Sequence, residues 1–398
     1  MKSLRRIALF LFFLSINFEV WDPLNTNGLF SIAKLMGYIY LATMLPRFFY
    51  FLTNKNNSTF IAPLFLYFAI LTIVNLFNSD ATLSTFFNMT IFQNIFLLYI
   101  LINHEQEDPL IIEKGLLGFA LGSGILAILY NAGIGIEISE NGQVSIFHDN
   151  QNSIGFRSCV ASIILIHNVV INPLKLGYSK FLLLLPLPLI FELLAVSASR
   201  SAVFSLILAL VVGGSLVKTG KIWGKYLVIL STICFLIVIA SLLMQHEVFR
   251  MRLMYTLQEG DTSGREIIWR NILPLIRDNP LFGVGTVGYE TYSIMVFGEL
   301  KSPHNVFLEI LSYTGILGLS IYIVFLYRIV AKSFKMYTKM NLVLPMLLLI
   351  PVFVSIASMQ ILNVKTGWII FAYIAGSYNM IPEREQNADD LSNGIFNN

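Results

Sequence analysis

Residues 201–217 read SAVFSLILALVVGGSLV, a run without a single charge that is closed by Arg200 on one side and Lys218 on the other. Hydrocarbon offers backbone amides no hydrogen-bond partner, so an apolar stretch of about 17 to 25 residues crosses it only as a helix that closes its own bonds. The rest of the chain repeats the pattern. Of its 398 residues 56% are hydrophobic and 12% charged, and the mean hydropathy is +0.73. Soluble chains are about a quarter charged, so a water-soluble globular fold is excluded and the chain reads as an all-α polytopic integral membrane protein. A net charge of +3 implies no basic nucleic-acid surface. Cys159 and Cys234 both lie inside apolar runs, which argues against a disulfide framework or a Cys-rich metal site.

Working outward from residues 201–217, about twelve such stretches are expected. They begin near Leu4, Leu29, Phe60, Leu83, Leu110, Ser153, Ser179, Ser201, Tyr226, Asn305, Asn341 and Thr366. The basic start before Ile7–Ile16 resembles a signal peptide, but Glu19, Trp21, Asp22 and Pro23 fill the cleavage zone, so an uncleaved signal-anchor helix is expected. Counting from an inside N-terminus puts Lys175/Lys180, Lys218/Lys221/Lys225 and Arg328/Lys332/Lys335/Lys339 on the cytoplasmic side. The loops near Asn25, Asp80 and Asn141 fall outside and carry no Lys or Arg, as the positive-inside rule requires. Four regions follow: residues 1–244 with nine spans, a long outer loop over 245–304, residues 305–381 with spans ten to twelve, and a cytoplasmic tail over 382–398. The outer loop carries Arg250, Arg252, Arg265, Arg270, Arg277 and Lys301 on the side where topology does not ask for them. Loops of that length are usually functional.

Within the loop, Ser263-Gly264-Arg265-Glu266 fits a capping box and predicts a helix that stops at Asp278-Asn279-Pro280, with Ile268, Ile272, Leu275 and Ile276 on one face and Arg270 off it. A cation in the first turn is unfavourable unless an anion joins it, so Arg265 reads either as a phosphate ligand or as a surface Arg paired with Asp261. Arg200 sits in Ser197-Ala198-Ser199-Arg200-Ser201-Ala202, a junction with almost no loop, where it either meets an anion or snorkels to headgroups. His304 follows a rigid Pro303 where the loop re-enters the membrane, and its neutral form could accept a proton. His148 lies in an Asx-rich stretch that reads as a turn, and Arg157 and Glu192 lie at similar depth, so they are expected to pair. Glu309 belongs to a polar interior with no assigned role. Gly122-Ser123-Gly124 either interrupts a span, as in transporters, or permits close packing. Phe282-Gly283-Val284-Gly285 reads as a tight turn. No metal-ligand spacing and no nucleotide loop occurs in the sequence, so neither a metal nor another cofactor is implied.

Taken in order, Ser-Arg-Ser-Ala at 199–202, Ser-Gly-Arg-x-x-x-Trp at 263–269, Asn-Pro-Leu-Phe-Gly-Val-Gly at 279–285 and His-Asn-x-x-Leu at 304–308 resemble the O-antigen ligase and polymerase family of bacterial envelopes. Phe147-His148-Asp149-Asn150-Gln151-Asn152 resembles that family's Asn-Pro-Asn element, with Gln151 in place of the proline. The resemblance implies a glycosyltransferase C-like, metal-independent, inverting enzyme in the bacterial inner membrane, with its site facing the periplasm. Its donor would be an undecaprenyl-diphosphate-linked glycan and its acceptor another lipid-linked glycan (polymerase) or lipid A core (ligase), with chain-length regulator and flippase proteins as partners. It further implies that Arg200 and Arg265 bind the diphosphate and that His304 activates or orients the acceptor. Arg157, Asn152, Asn305 and Arg270 join them as candidate substrate-binding residues. Polymerase is the expected activity, because repeat units are diverse and call for many such enzymes; a non-enzymatic lipid-linked glycan transporter is the reading from another class.

Overall fold

A computed structural model describes residues 2–26, 30–52, 58–77, 81–138, 144–171, 174–216, 222–259 and 264–379. The expectations for Asp80, Asn141, Lys218, Lys221, Asp261, Ser263 and the 382–398 tail lie outside them. In chain order the helices are α1 (Lys2–Ser15), α2 (Ile32–Met44), α3 (Phe48–Leu52), α4 (Ser58–Phe77), α5 (Ala81–Glu107), α6 (Ile111–Asn131), α7 (Gln151–Val170), α8 (Leu187–Val196), α9 (Arg200–Leu216) and α10 (Ile222–Gln245). Then follow α11 (Glu247–Glu259), α12 (Arg265–Asp278), α13 (Gly285–Phe297), α14 (Val306–Met340), α15 (Leu344–Ile356) and α16 (Lys365–Asn379).

Among the described residues five helical segments are both long and apolar enough to cross a membrane: Phe60–Phe77, Ile111–Asn131, Gln151–Val170, Gly177–Val196 and Val306–Met340. A sixth is added if the pair Thr232–Gln245 and Glu247–Thr256, bent by 100°, counts as one broken span. Helices α9 and α15 are apolar but shorter. The chain is therefore a largely helical, multi-pass membrane protein.

The all-α expectation needs one correction. Between α6 and α7 the chain forms a two-stranded antiparallel hairpin, β1 (Ile136–Ile138) against β2 (Val144–Ile146), in register Ile136 to Ile146, Glu137 to Ser145 and Ile138 to Val144. The cause is local: branched apolar residues alternate with polar ones at period two, which suits a strand and not a helix.

The chain divides into two compact units. The first comprises Met1–Phe48, Glu113–Ser263 and Leu347–Ser358. There α1 packs on α2, and α7 packs on α8 and α9. Helix α6 runs without a break through Gly122-Ser123-Gly124. A Cβ on Gly122 would stand 2.3 Å from the Leu14 carbonyl oxygen, so the small residues serve close packing and not an interruption.

The second unit comprises Phe49–Ile112, Gly264–Met346 and Met359–Asn398. In it α14 packs on α4, and α16 on α5. Near its start α14 brings Glu309 to Gln360, and near its end Lys335 to Tyr378, 3.0 Å apart, so α14 and α16 run in the same direction, as one crossing between them requires. With 35 residues α14 is about 50 Å long, well beyond a hydrocarbon core of about 30 Å. It is not continuous. Gly315 adopts φ 61, ψ −162, a region open to glycine alone. There the Ile316 amide donates to the Pro280 carbonyl (2.9 Å), while the Ser312 carbonyl accepts from Val284 (2.8 Å). The segment 280–284 thus satisfies both groups that the broken turn frees. Its own Gly283 has φ +65, and a Cβ there would lie 2.5 Å from the Ser312 oxygen, so the expected tight turn is a turn that mends a helix.

Candidate functional site

In the second unit α12 begins at Arg265 and ends at Asp278, the limits that the sequence predicts. Gly264 precedes it in the left-handed region, and no side-chain cap is formed there by that residue. Ile272 and Leu275 are buried, with Ile268 and Ile276 half-buried beside them. Arg270 is on the solvent side, its side chain 76% exposed and paired with Glu266 one turn earlier. Nothing in that placement links Arg270 to Arg265 or His304, and its pairing is of the kind that contributes little.

His304 is held in the left-handed region at φ 49, a conformation that a non-glycine residue keeps only when its surroundings fix it. Several hydrogen bonds do so. Trp269 of α12 donates from Nε1 to the Pro303 carbonyl at 2.8 Å. Tyr289 of α13 donates from its hydroxyl to the Lys301 carbonyl at 2.6 Å. Ser293 accepts from the Lys301 amide at 2.8 Å, and Ser302 accepts from the His304 amide at 3.1 Å. Burial, then the charge of Glu309, pushes the Tyr289 phenol up, so it stays a protonated donor. Asn305 caps α14, its Oδ1 accepting from Phe307 (3.0 Å) and Leu308 (3.2 Å).

The electrostatics suit a base. His304 is half-buried, and burial, followed by the charges of Arg265 and Lys301, holds its imidazole below the ordinary 6.5. It is therefore neutral at pH 7 with a lone pair available. Arg265 and His304, far apart in sequence, share one electrostatic environment. Behind them Glu309 is fully buried, its Oε1 accepting from Tyr313 (3.3 Å) and Gln360 (3.1 Å).

Arg200 belongs to the first unit, where it opens α9 after Ala198, which has φ 49. Its guanidinium donates to the Thr256 hydroxyl and to the Arg252 carbonyl (3.4 Å), while Arg252 donates back to the Ala198 carbonyl at 3.0 Å. Two guanidinium side chains thus cross at one junction. Asn152 accepts from Ser199 at 3.3 Å, beside Arg200. Arg157 differs from expectation. It is 1% exposed, and its partners are Asp149 and Glu19 (3.7 Å), not Glu192, which accepts from Asn131 at 3.1 Å. The turn at Phe147 and His148 folds Asp149 back against Ile146, just ahead of α7, where it meets Arg157. His148 pairs with Glu137 at 2.6 Å on the exposed hairpin.

Sequence reasoning missed Trp269, Tyr289, Ser293 and Arg252 as contributors. Trp269 stands within its motif, and its hydrogen bond to Pro303 gives the spacing a reason; Arg252 stands out in the sequence only as one of the outer loop's cations. Among the described residues no group of three His, Cys, Asp or Glu could hold a metal ion.

No curated protein matches the chain. Residues 185–323, from the residue pair before α8 through the first half of α14, match the family described as O-antigen ligase. That match covers Arg200, Arg252, Arg265, Trp269 and His304 together, and over this segment the chain is similar to the O-antigen ligase family, which supports the resemblance read from its motifs.

Proposed function

We propose that this chain is a glycosyltransferase of the bacterial inner membrane, with about twelve spans and a site facing the periplasm. It moves a glycan from undecaprenyl diphosphate to an acceptor hydroxyl with inversion and without a metal. The observation that carries the reading is His304, held neutral on an over-anchored loop next to Arg265, inside the matched segment. The acceptor oxygen forms a bond to the anomeric carbon as the bond from that carbon to the diphosphate oxygen breaks. The hydroxyl proton goes to the His304 imidazole. Negative charge grows on the departing diphosphate, where Arg265 stabilises it as a fixed guanidinium group; Arg200, within the first unit, is a second candidate diphosphate ligand.

Polymerisation of lipid-linked repeat units of O-antigen, capsule or exopolysaccharide is the first reading. The family's description favours transfer to lipid A core as the second. Analysis of envelope glycans after deletion separates them: loss of a polymerase leaves one capped repeat unit, and loss of a ligase leaves lipid A core uncapped. Purified protein mixed with donor and acceptor in detergent tests transfer itself. Product formed without an energy source supports the proposal, whereas no product with wild-type protein and competent substrates favours a transporter.

A further inference from the structure

The first unit buries a charge cluster that the reaction above does not use. Arg157 of α7 is 1% exposed and lies between two carboxylates from distant parts of the chain, Asp149 before α7 and Glu19 after α1. Removing three charged groups from water costs free energy that their attraction barely offsets, so such a cluster adds little to stability over an apolar replacement. Its better-attested use is to fix one arrangement out of several. What it fixes here is legible. Asp149 is followed directly by Asn150, which caps α7 by accepting from the Asn152 amide at 2.9 Å. The side chain of Asn152 accepts from Ser199 at 3.3 Å, and Ser199 is the residue before Arg200. The approach is close: a Cβ on Gly155 would stand 2.6 Å from the Ser199 Cβ and 2.8 Å from the Ser197 hydroxyl. Glu19, Arg157 and Asp149 are thus joined by ion pairs, Asp149 leads through the Asn150 cap to Asn152, and Asn152 is bonded to Ser199 beside Arg200, all inside one unit.

We propose that Arg157, Asp149 and Glu19 are positioning residues for Arg200: they lock the 149–152 turn against which the Ser199-Arg200 junction is set, and so tune the affinity for a lipid-linked diphosphate. Arg157 then acts on the ligand through its neighbours and does not touch it. The proposal rests on Arg200 being a diphosphate ligand. The test uses full-length protein in detergent and undecaprenyl diphosphate alone as probe, its dissociation constant read from the ligand-dependent rise in unfolding temperature. The triple variant R157M/D149L/E19L removes all three charges together and leaves none stranded.

The expected result is a cooperatively unfolding triple variant whose Kd rises about five- to tenfold, the worth of one hydrogen bond's geometry, while R200A, which removes the ligand itself, raises it by more. A folded triple variant with wild-type Kd, alongside an R200A variant that has lost binding, overturns the positioning role. Unchanged Kd in R200A overturns instead the assignment of Arg200 on which it stands. If the triple variant does not fold, Asn152→Ala decides: a weakened Kd supports the line of contacts, and a wild-type Kd refutes it.

Discussion

Replacing Trp269 by Phe removes one donor and keeps the ring. The Nε1 group is 2.8 Å from the Pro303 carbonyl, directly before His304. A hydrogen bond of this kind contributes about 1 kcal/mol net, and a half-buried carbonyl left without its donor costs about 1–3 kcal/mol. His304 is held at φ 49, where a non-glycine backbone carries about 1–3 kcal/mol of strain, so a loosened loop has somewhere lower to go. Tyr289, Ser293 and Ser302 remain as anchors and limit the loss to about 1–2 kcal/mol, which is about a five- to thirtyfold fall in turnover. The assay is initial-rate glycan transfer by purified protein under saturating donor, with the unfolding temperature of each variant measured alongside. The reasoning is refuted if W269F transfers at the wild-type rate while unfolding at a lower temperature, for then the Trp269 bond holds the fold and not the imidazole. Combined with Tyr289→Phe, which removes a second anchor of the same loop, the loss should exceed the sum of the single effects.

Three further outcomes follow from the geometry. Because burial, Arg265 and Lys301 all lower the His304 pKa, the acid limb of kcat/KM should lie below pH 6.5, with activity falling as pH drops through that lowered value; Lys301→Gln should move the limb upward, and a profile that moves down or not at all would count against His304 as the base. Gly315→Ala would place a Cβ 2.3 Å from the Leu281 carbonyl carbon in a backbone region closed to alanine, so its unfolding free energy should fall by about 2–6 kcal/mol, read by thermal or denaturant unfolding. Arg252→Ala should weaken undecaprenyl diphosphate binding about ten- to 150-fold, the range for a charge-assisted hydrogen bond, while Arg270→Ala, an exposed pair partner, should leave it unchanged in the same titration.

What the sequence made legible was what local pattern controls. The limits of α12, its buried Ile272 and Leu275 and the turn at Phe282–Gly285 all depend on neighbours within a few positions. Arg265 and His304 were each visible as odd residues for their place, and the structure shows them sharing an environment. What stayed hidden depends on packing between distant segments. Arg157 was expected to choose Glu192 by depth alone, but the turn before α7 brings Asp149 nearer. The hairpin was missed because a period of two over three residues is easily lost beside long apolar runs, and the break in α14 because Gly315 is helical in composition and irregular only in the company of Pro280 and Val284.

That break has a mechanical meaning. Where an unbroken rod would carry displacement from the bilayer straight to its tip, α14 surrenders one rung of its ladder at Ser312 and Ile316 to the 280–284 segment. The outermost turns, with Asn305 and the histidine ahead of them, are therefore braced sideways by α12 and α13 more than from below. Any load on that tip would reach the brace first, and amide exchange at residues 307–314 should rise and fall with that of α13 and not with the rest of α14.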